Sequence, residues 1–254
     1  DWLSIYFKDS GWDVKAFQKL IVMSKTYRQS SLANDSLLNI DKDNRLLARG
    51  PSGRLTGEML RNSALASSGL LNRKIGGESV SPYQPEGLWL VNGARYQVDS
   101  GEKLYRRSLY TIWKRSVPHP TLATFDSPAR DYSIMRRQET NTPLQALVLL
   151  NDPTYVEAAR VLGKEISETG DIVIGISTVF RKLTGRSVND SELAVLLELQ
   201  RSEYSKFSEN ADKARGWLNT GEFKLKDGDD KALIAANAVV VSTIMNTDAF
   251  ITKR

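Results

Sequence analysis

Two helix-start signals that follow one another near the middle of the chain place the strongest constraint on its fold. Thr142, Pro143 and Gln145 supply an N-cap, a first helical residue and a capping-box partner. Asp152 and Pro153 repeat the cap and the proline shortly afterwards. Apolar residues follow both starts at helical spacing. The sequence therefore predicts two consecutive helices.

Helical patterns continue from this point to the end of the chain. Asp171 is placed to cap a helix that ends at Gly185, Asn189 and Glu192 start another, and the last helix runs to about Asn246. Because apolar helix faces need a partner surface, we expect these helices to pack onto the earlier ones instead of forming a detached domain.

An acidic cluster of Asp227, Asp229 and Asp230 precedes the last helix. It resembles a calcium-binding loop only superficially, because it lacks the remaining alternating ligands and the terminal bidentate Glu. A cap for the following helix is the favoured interpretation.

The first part of the chain carries two further amphipathic patterns. Asp13 is placed to cap a helix after a break at Gly11, and the stretch from Thr56 to about Leu70 is again helical. The residues expected to face inward are Val14, Phe17, Leu20, Ile21 and Tyr27 in the first helix, and Leu55, Met59, Leu60, Ala66 and Leu70 in the second.

Residues 73–141 differ from both flanks and are predicted to be rich in loops. Glycine and proline punctuate this stretch, and Asn92-Gly93 separates two apolar runs, which is the strongest short hairpin signal. The predicted fold is mainly α: an irregular helical domain over residues 1–254, with a loop-rich centre at 73–141, a helical part at 142–254 and one small β-hairpin at Asn92-Gly93.

Composition excludes several kinds of chemistry. The 254 residues include no cysteine, which excludes disulfides, thiolate nucleophiles and Cys-x-x-Cys-His haem attachment, and no cofactor is predicted for this chain. A formal charge of +5 permits an anionic partner but is too small to argue nucleic-acid binding alone. No run is long enough for a membrane helix. Since the chain starts at Asp1 without an initiator methionine, we expect a C-terminal fragment of a larger protein.

Basic and aromatic side chains are interleaved on both sides of a proline-containing loop within residues 104–151. Arginine presents planar, forked donors that suit carboxylates and phosphates, and aromatic faces suit sugar rings or bases. The pattern predicts a site for a carbohydrate or an anionic ligand. In the alternative interpretation, the arginines bind local acids and loop carbonyls. The candidate ligand-binding residues are Tyr83, Gln84, Tyr105, Arg106, Arg107, Trp113, Lys114, Arg136, Arg137 and Asn141.

A more specific hypothesis concerns the arginine pairs at 106–107 and 136–137. We expect at least one arginine of each pair to meet near the helix start at Thr142, where backbone N–H groups favour an anion. An internal carboxylate such as Asp126 is the favoured occupant. For Trp113, burial in the core is favoured over a role as a ligand platform.

No catalytic residue can be assigned. His119 is the only histidine, and alone it makes neither a metal site nor a recognisable triad, so a loop-packing role is predicted and no metal site is expected. A glycosidase would need two carboxylates across a cleft, and nothing in the sequence pairs those that the loop region offers. These are Glu86, Asp99, Asp126, Asp131 and Glu139.

Four motifs carry a resemblance to a known family: residues 12–31, residues 74–77 with 83–85, residues 104–115 and residues 136–152. Over nearly its whole length the chain resembles the planctomycete-type C-terminal domain of unknown function 1553. The resemblance implies an exported, extracytoplasmic multidomain protein with a cytochrome c-like companion domain and a link to polysaccharide metabolism. It assigns no reaction. Ser133, where many members carry cysteine, and Asn62, in place of a more typical aspartate, depart from the family pattern.

The leading interpretation is a non-catalytic module that binds a carbohydrate or anionic ligand, or docks against neighbouring domains of its protein. The first alternative is an enzyme that acts on polysaccharide through carboxylates of the loop region. The second is a nucleic-acid-binding module, which the abundance of nearby acids disfavours.

Overall fold

The computed structural model describes residues 1–253, apart from the side chains of Val91 and Asn92, and it confirms the predicted mainly α fold. The helices are α1 (Trp2–Asp9), α2 (Val14–Val22), α3 (Asp35–Ile40), α4 (Gly57–Ser67), α5 (Pro120–Thr124), α6 (Pro143–Asn151), α7 (Pro153–Glu168), α8 (Ile172–Thr184), α9 (Asp190–Glu209), α10 (Arg215–Asn219), α11 (Lys231–Met245) and α12 (Asp248–Ile251). Short 3₁₀ helices are Leu88–Asn92, Gly101–Lys103, Ser108–Tyr110 and Ala211–Ala214. One small antiparallel sheet pairs β1 (Gly53–Arg54) with β2 (Thr252–Lys253).

Backbone proximity divides the chain into two compact units. The first is Asp1–Arg54 with the chain from Thr252 onward, and it contains α1, α2, α3 and the sheet. The second is Leu55–Ile251 and contains the remaining helices. The single domain over residues 1–254 stays a prediction.

Helix α7 lies at the centre of the second unit. It packs against α4, α6, α8 and α11, so the helices after Asp152 do pack onto an earlier helix, as predicted. A glycine permits the close approach of α7 and α11, since a Cβ at Gly163 would lie 2.8 Å from the backbone nitrogen of Ala238 and the oxygen of Ile234. The large apolar side chains buried in this core include Leu60, Leu149, Tyr155, Leu162, Ile166, Ile176, Phe180, Ile244, Met245 and Phe250.

Capping geometry confirms the predicted helix starts. The Thr142 hydroxyl accepts from the Gln145 backbone N–H at 3.4 Å, and the Gln145 side-chain oxygen accepts from the Thr142 N–H at 3.5 Å. Asp152 accepts from the Thr154 N–H at 2.8 Å. Each bond satisfies a backbone donor that the helix itself leaves without a partner. The same role falls to Asp13, Asp171, Asn189 and Asp230 at the starts of α2, α8, α9 and α11.

The acidic cluster before the last helix is a cap, as favoured. The Asp230 side chain accepts from the Leu233 N–H at 2.9 Å. Asp229 accepts from the Lys164 ammonium at 2.7 Å and from the Lys226 N–H at 2.8 Å. Among residues 1–253, no group of three or more His, Cys, Asp and Glu side chains could hold a metal ion.

The hairpin predicted at Asn92-Gly93 is wrong. Leu88–Asn92 form a 3₁₀ helix, which is flanked by left-handed glycines at Gly87 (φ 82°) and Gly93 (φ 66°). The Trp89 ring packs edge-on against Tyr96, with centroids 5.0 Å apart, and this contact folds the segment onto itself. The Asn-Gly pair thus correctly indicated a glycine with a left-handed backbone. This glycine ends a 3₁₀ helix, however, and does not form the turn of a β-hairpin.

Some inward faces were also predicted wrongly. Met59 and Ala66 are exposed in α4, and Val14 and Tyr27 are exposed in the first unit. Helix α4 packs against α5, α7 and α8, and the residues that it buries differ from the predicted ones. The buried residues are Gly57, Leu60, Arg61, Ala64 and Leu65. Helices α3, α5 and α12 were not predicted.

Candidate functional site

Arg106 is a scaffold for the loop that precedes it. The side chain is buried, and its guanidinium donates to the carbonyls of Glu78 (3.1 Å), Lys74 (3.1 Å) and Gly76 (2.6 Å). The guanidinium carbon also lies 3.8 Å from the centroid of the Tyr110 ring. These contacts match the alternative interpretation, in which arginines bind loop carbonyls.

Arg61, which the sequence interpretation missed, is a second buried scaffold. Its guanidinium donates to the carbonyls of Arg106 at 2.8 Å and Leu104 at 2.6 Å. Burial lowers the pKa of Arg61, and the nearby Asp152 opposes this effect. The sequence signal was present: Arg61 lies beside Leu60 and one turn before Leu65, on the face of α4 that must be buried.

A buried carboxylate on α7 joins three distant segments. Glu157 is fully buried and accepts from the Tyr105 hydroxyl (2.9 Å), the Tyr83 hydroxyl (3.2 Å) and the Phe223 N–H (2.6 Å). A side chain at Gly221 would collide with this carboxylate, since a Cβ would lie 2.4 Å from its carbon. We call Glu157 and its three donors the Glu157 node.

The protonation of the two tyrosines and a nearby arginine stabilise the Glu157 node. Burial raises the pKa of Tyr83 and of Tyr105, and the Glu157 carboxylate raises both further, so the hydroxyls remain protonated donors. Arg160 lies 3.9 Å from the carboxylate and donates to the carbonyls of Trp217 (3.1 Å) and Phe223 (2.7 Å). The hydroxyls of the predicted site residues Tyr83 and Tyr105 therefore bind an internal carboxylate. Their ligand-binding role stays a prediction.

His119 is a packing residue in this structure. It is buried, its Nε2 lies 2.9 Å from the Tyr83 carbonyl, and burial lowers its pKa, which Asp152 partly offsets. Asp152 itself accepts a hydrogen bond from the Thr121 hydroxyl and caps α7. Its Nδ1 is also buried and has no hydrogen-bond partner among the described residues, so the one contact of the ring agrees with the predicted loop-packing role.

Two of the loop-region carboxylates accept hydrogen bonds from residues of the same region. Asp99 accepts from the Ser81 N–H at 2.6 Å, and both oxygens of Asp126 accept from Thr140, through its N–H at 2.8 Å and its hydroxyl at 2.8 and 3.0 Å. Each therefore satisfies local backbone. The remaining candidates, Glu86, Asp131 and Glu139, are exposed.

The arginine pairs take separate partners. Arg137 forms an ion pair with Glu58 at 2.9 Å, whereas Arg106 binds carbonyls at residues 74–78. Asp126 is bound by Thr140, and no arginine within residues 1–253 forms an ion pair with it. The prediction of an internal ion pair between an arginine and Asp126 is therefore wrong. Asp126 instead accepts hydrogen bonds from Thr140, which lies just before α6.

Trp113 is half-buried and positions the following loop. Its indole N–H donates to the Ala129 carbonyl at 3.0 Å, and the Arg130 guanidinium lies 5.1 Å from the centroid of its ring. The prediction that Trp113 is buried in the core is thus wrong, since the side chain is partly exposed and contacts the loop at Ala129. Residues 123–138 line a pocket of about 290 Å³, and Arg130 and Arg136 are part of its wall.

The other candidate residues differ in their burial and in their contacts. The Lys114 ammonium lies 4.6 Å from the centroid of the Trp89 ring. Arg107 is half-buried, and Asn141 is exposed just before α6. The side-chain amide nitrogen of Gln84 is buried and has no hydrogen-bond partner among residues 1–253. The structure does not gather the ten candidates into one site.

The first unit presents an unusual surface. Residues 1–54 bury Asp41 and Gly50 but not one hydrophobic side chain. The Phe7 ring contacts the rings of Trp12 and Phe17, yet Trp12 remains 66% exposed. The exposed large hydrophobic residues here, which we call the apolar face, are Trp2, Leu3, Ile5, Trp12, Val14, Val22, Met23, Tyr27, Leu32, Leu38, Ile40, Leu46 and Leu47.

No helix within residues 1–253, the part of the chain that the structure describes, is both long and apolar enough to cross a bilayer.

One comparison with known proteins gives a match, and it confirms the resemblance to a domain of unknown function. The family described as PSD1, protein of unknown function (DUF1553), matches residues 1–200. Neither the curated proteins nor the solved structures gave a match. The family match covers α1 to α8, the loop region and most of α9. Because it spans well over half of the sequence, the chain belongs to the DUF1553 family of proteins of unknown function.

Proposed function

We propose that this chain is a non-catalytic docking module, in which residues 1–54 bind a separate folded domain. One observation carries the proposal: α1, α2 and α3 are formed, yet no hydrophobic side chain of residues 1–54 is buried. A concentration of exposed large hydrophobic side chains of this kind is typical of an interaction site in a soluble protein.

Helix length supports the need for a partner. The three helices have 8, 9 and 6 residues. Isolated helices shorter than about 12–15 residues are marginal in water, and helices in proteins draw their stability from packing of an apolar face. Burying one large apolar side chain stabilises by about 1.5–3 kcal/mol. A partner that covered part of the apolar face would therefore stabilise the unit.

The charges of α2 and the following segment indicate the chemistry of that partner. Residues 14–34 carry Lys15, Lys19, Lys25 and Arg28 and no acidic residue. These cations lie among exposed apolar residues such as Val22 and Met23. A complementary surface has an apolar centre and an acidic rim, since charge complementarity favours encounter and fixes orientation.

We take the partner to be another domain of the protein to which this chain belongs. The family resemblance supplies a candidate, a cytochrome c-like domain in an exported, extracytoplasmic protein linked to polysaccharide metabolism. A haem group would belong to that domain, because this chain has no cysteine for attachment. A role with nucleic acid is not part of the proposal.

Hydrogen exchange of backbone amides tests the proposal in the full-length protein. We expect α1 and α2 to be protected there, and Val22→Asp to remove this protection because it places a charge in the buried interface. Val195→Asp on α9 is the matched control, since Val195 is also exposed and lies outside the apolar face.

Three results would contradict docking to a protein domain. The first is rapid exchange of α1 and α2 in the full-length protein. The second is equal loss of protection in both variants. The third is protection that appears only with anionic vesicles, which would make a membrane surface the partner.

A further inference from the structure

We infer that the pocket within residues 123–138 binds the oxyanion of a small organic ligand, a carboxylate or a sulfate or phosphate ester. The pocket lies between the end of α5 and the start of α6, and its volume is about 290 Å³. This site is independent of the apolar face, and the two can be tested separately.

Two guanidinium groups in the pocket wall are free to bind an external anion. Arg130 and Arg136 both line the pocket, and neither forms an ion pair within residues 1–253. Asp126 lines it too, but both of its oxygens are occupied by Thr140. The charged groups in the lining are therefore two guanidinium cations and one carboxylate that is already hydrogen-bonded. This lining favours an anion whose oxygens accept hydrogen bonds from the guanidinium groups.

Arg130 is held in place without a carboxylate partner. Its backbone is left-handed (φ 65°), which is uncommon for a residue with a side chain. The Arg130 guanidinium carbon lies over the Trp113 ring, 5.1 Å from its centroid, and the Trp113 indole N–H donates to the neighbouring Ala129 carbonyl, so the two contacts orient the Arg130 side chain. A charged group that is oriented in advance loses less conformational entropy when it binds.

An unused hydroxyl provides an observation that does not depend on charge. Ser127 lines the pocket and is 9% exposed, and its Oγ has no hydrogen-bond partner among the described residues. Buried polar groups in folded proteins are normally hydrogen-bonded. The Ser127 hydroxyl therefore leaves an unused hydrogen-bonding group in the wall of the pocket, beneath the solvent-accessible surface.

The size of the pocket limits the ligand. Ligand pockets commonly range from about 300 to 1,000 Å³, so this one suits a group no larger than a single sugar ring. Tyr132 in the lining exposes its aromatic ring, and such rings pack well against the apolar face of a small ring. A charged sugar combines both features.

Calorimetric titration of the full chain tests the site with sodium sulfate, sodium glucuronate and neutral glucose at constant ionic strength. We expect both anions to bind in about the millimolar range and glucose not to bind. Arg130→Ala and Arg136→Ala should each weaken binding about tenfold, and Arg136→Lys should also weaken it because lysine lacks the fork.

Arg181→Ala is the matched control, because Arg181 is exposed on α8 and does not line the pocket. The proposal is overturned if neither anion binds, if glucose binds equally well, or if Arg181→Ala weakens binding as much as the pocket variants. Both pocket arginines are exposed, so if one alanine variant loses its cooperative melting transition, the other still carries the test.

Discussion

A single buried carboxylate connects much of the loop region to the helical core. Glu157 is fully buried, accepts three hydrogen bonds from different segments and lies 3.9 Å from Arg160. Burial of a charge is tolerated only when its hydrogen bonds are satisfied. The hydrogen bonds of the Glu157 carboxylate connect Tyr83, Tyr105 and Phe223 to α7.

Removal of this carboxylate should therefore be severe. We expect Glu157→Ala to lower the free energy of unfolding by about 3–5 kcal/mol, because Arg160 and two tyrosine hydroxyls lose their buried partner. Urea denaturation measures the change. Glu198→Ala on the exposed side of α9 is the control and should change stability by less than about 0.5 kcal/mol. Equal stabilities of the two variants would contradict the structural role of Glu157.

The sequence could not identify these buried charged residues, because their partners are remote. Glu157 and Arg160 are three residues apart on α7, among residues that were correctly predicted to form an apolar face. Helical periodicity shows that such residues face inward. It does not show that their hydrogen-bond partners are two tyrosine hydroxyls and the backbone of residue 223. Candidate residues such as Tyr105 and Arg106 were found by type, while their actual roles depend on these distant contacts.

At the scale of the elements, the contact of α7 with α11 depends on one position without a side chain. A Cβ at Gly163 would approach the backbone of Ala238 and Ile234 within 2.8 Å, and backbone cannot yield as a flexible side chain can. We expect Gly163→Ala to destabilise the protein by about 1–3 kcal/mol through overpacking.

A second glycine offers a matched comparison for thermal melting. At Gly216 in α10, a Cβ would meet open space, with nothing beyond the backbone of its own helix within 4 Å, and its φ is not left-handed. Gly216→Ala should stabilise by about 0.5–1 kcal/mol, since alanine loses less entropy in a helix. Opposite signs for the two substitutions are expected, and the same sign would show that the α7–α11 contact is not tight.

The start of α9 gives a prediction for acid pH. The hydrogen bond from Arg186 lowers the pKa of Glu192 from 4.5 to about 2. Because the folded-state pKa lies below the unfolded value, this pair stabilises the protein fully above pH 4.5 and loses its effect as the pH falls towards 2. Glu192→Gln should reduce the loss of stability in this window, as measured by urea unfolding at several pH values. An unchanged acid profile would contradict the pairing.

Local signals explain which elements were predictable. The starts at Thr142, Asp152 and Asn189 depend on a cap and the residues next to it, and they were found. The hairpin failed because the choice between a hairpin and a 3₁₀ helix at Gly93 depended on packing of Trp89 against Tyr96. Turn residues specify a backbone angle more reliably than they specify the pairing of strands.

For the whole molecule, the distribution of buried apolar side chains predicts how the chain can be divided. Every buried hydrophobic side chain of residues 1–253 lies within Leu55–Ile251. We expect a fragment of residues 55–251 to unfold cooperatively on heating and a fragment of residues 1–54 to lack helical structure in water. Circular dichroism measures both. A helical, cooperatively melting 1–54 fragment would show that this segment needs no partner.

The Glu157 node also bears on the order of events during folding. Its three donors are separated from Glu157 by 74, 52 and 66 residues, so each contact closes a long loop. Long loops are entropically costly to close, and we expect these contacts to form after the transition state, once α7 and α11 have packed. Tyr83→Phe should then accelerate unfolding and leave the folding rate nearly unchanged in stopped-flow experiments, whereas a slower folding rate would place the loop closure before the barrier.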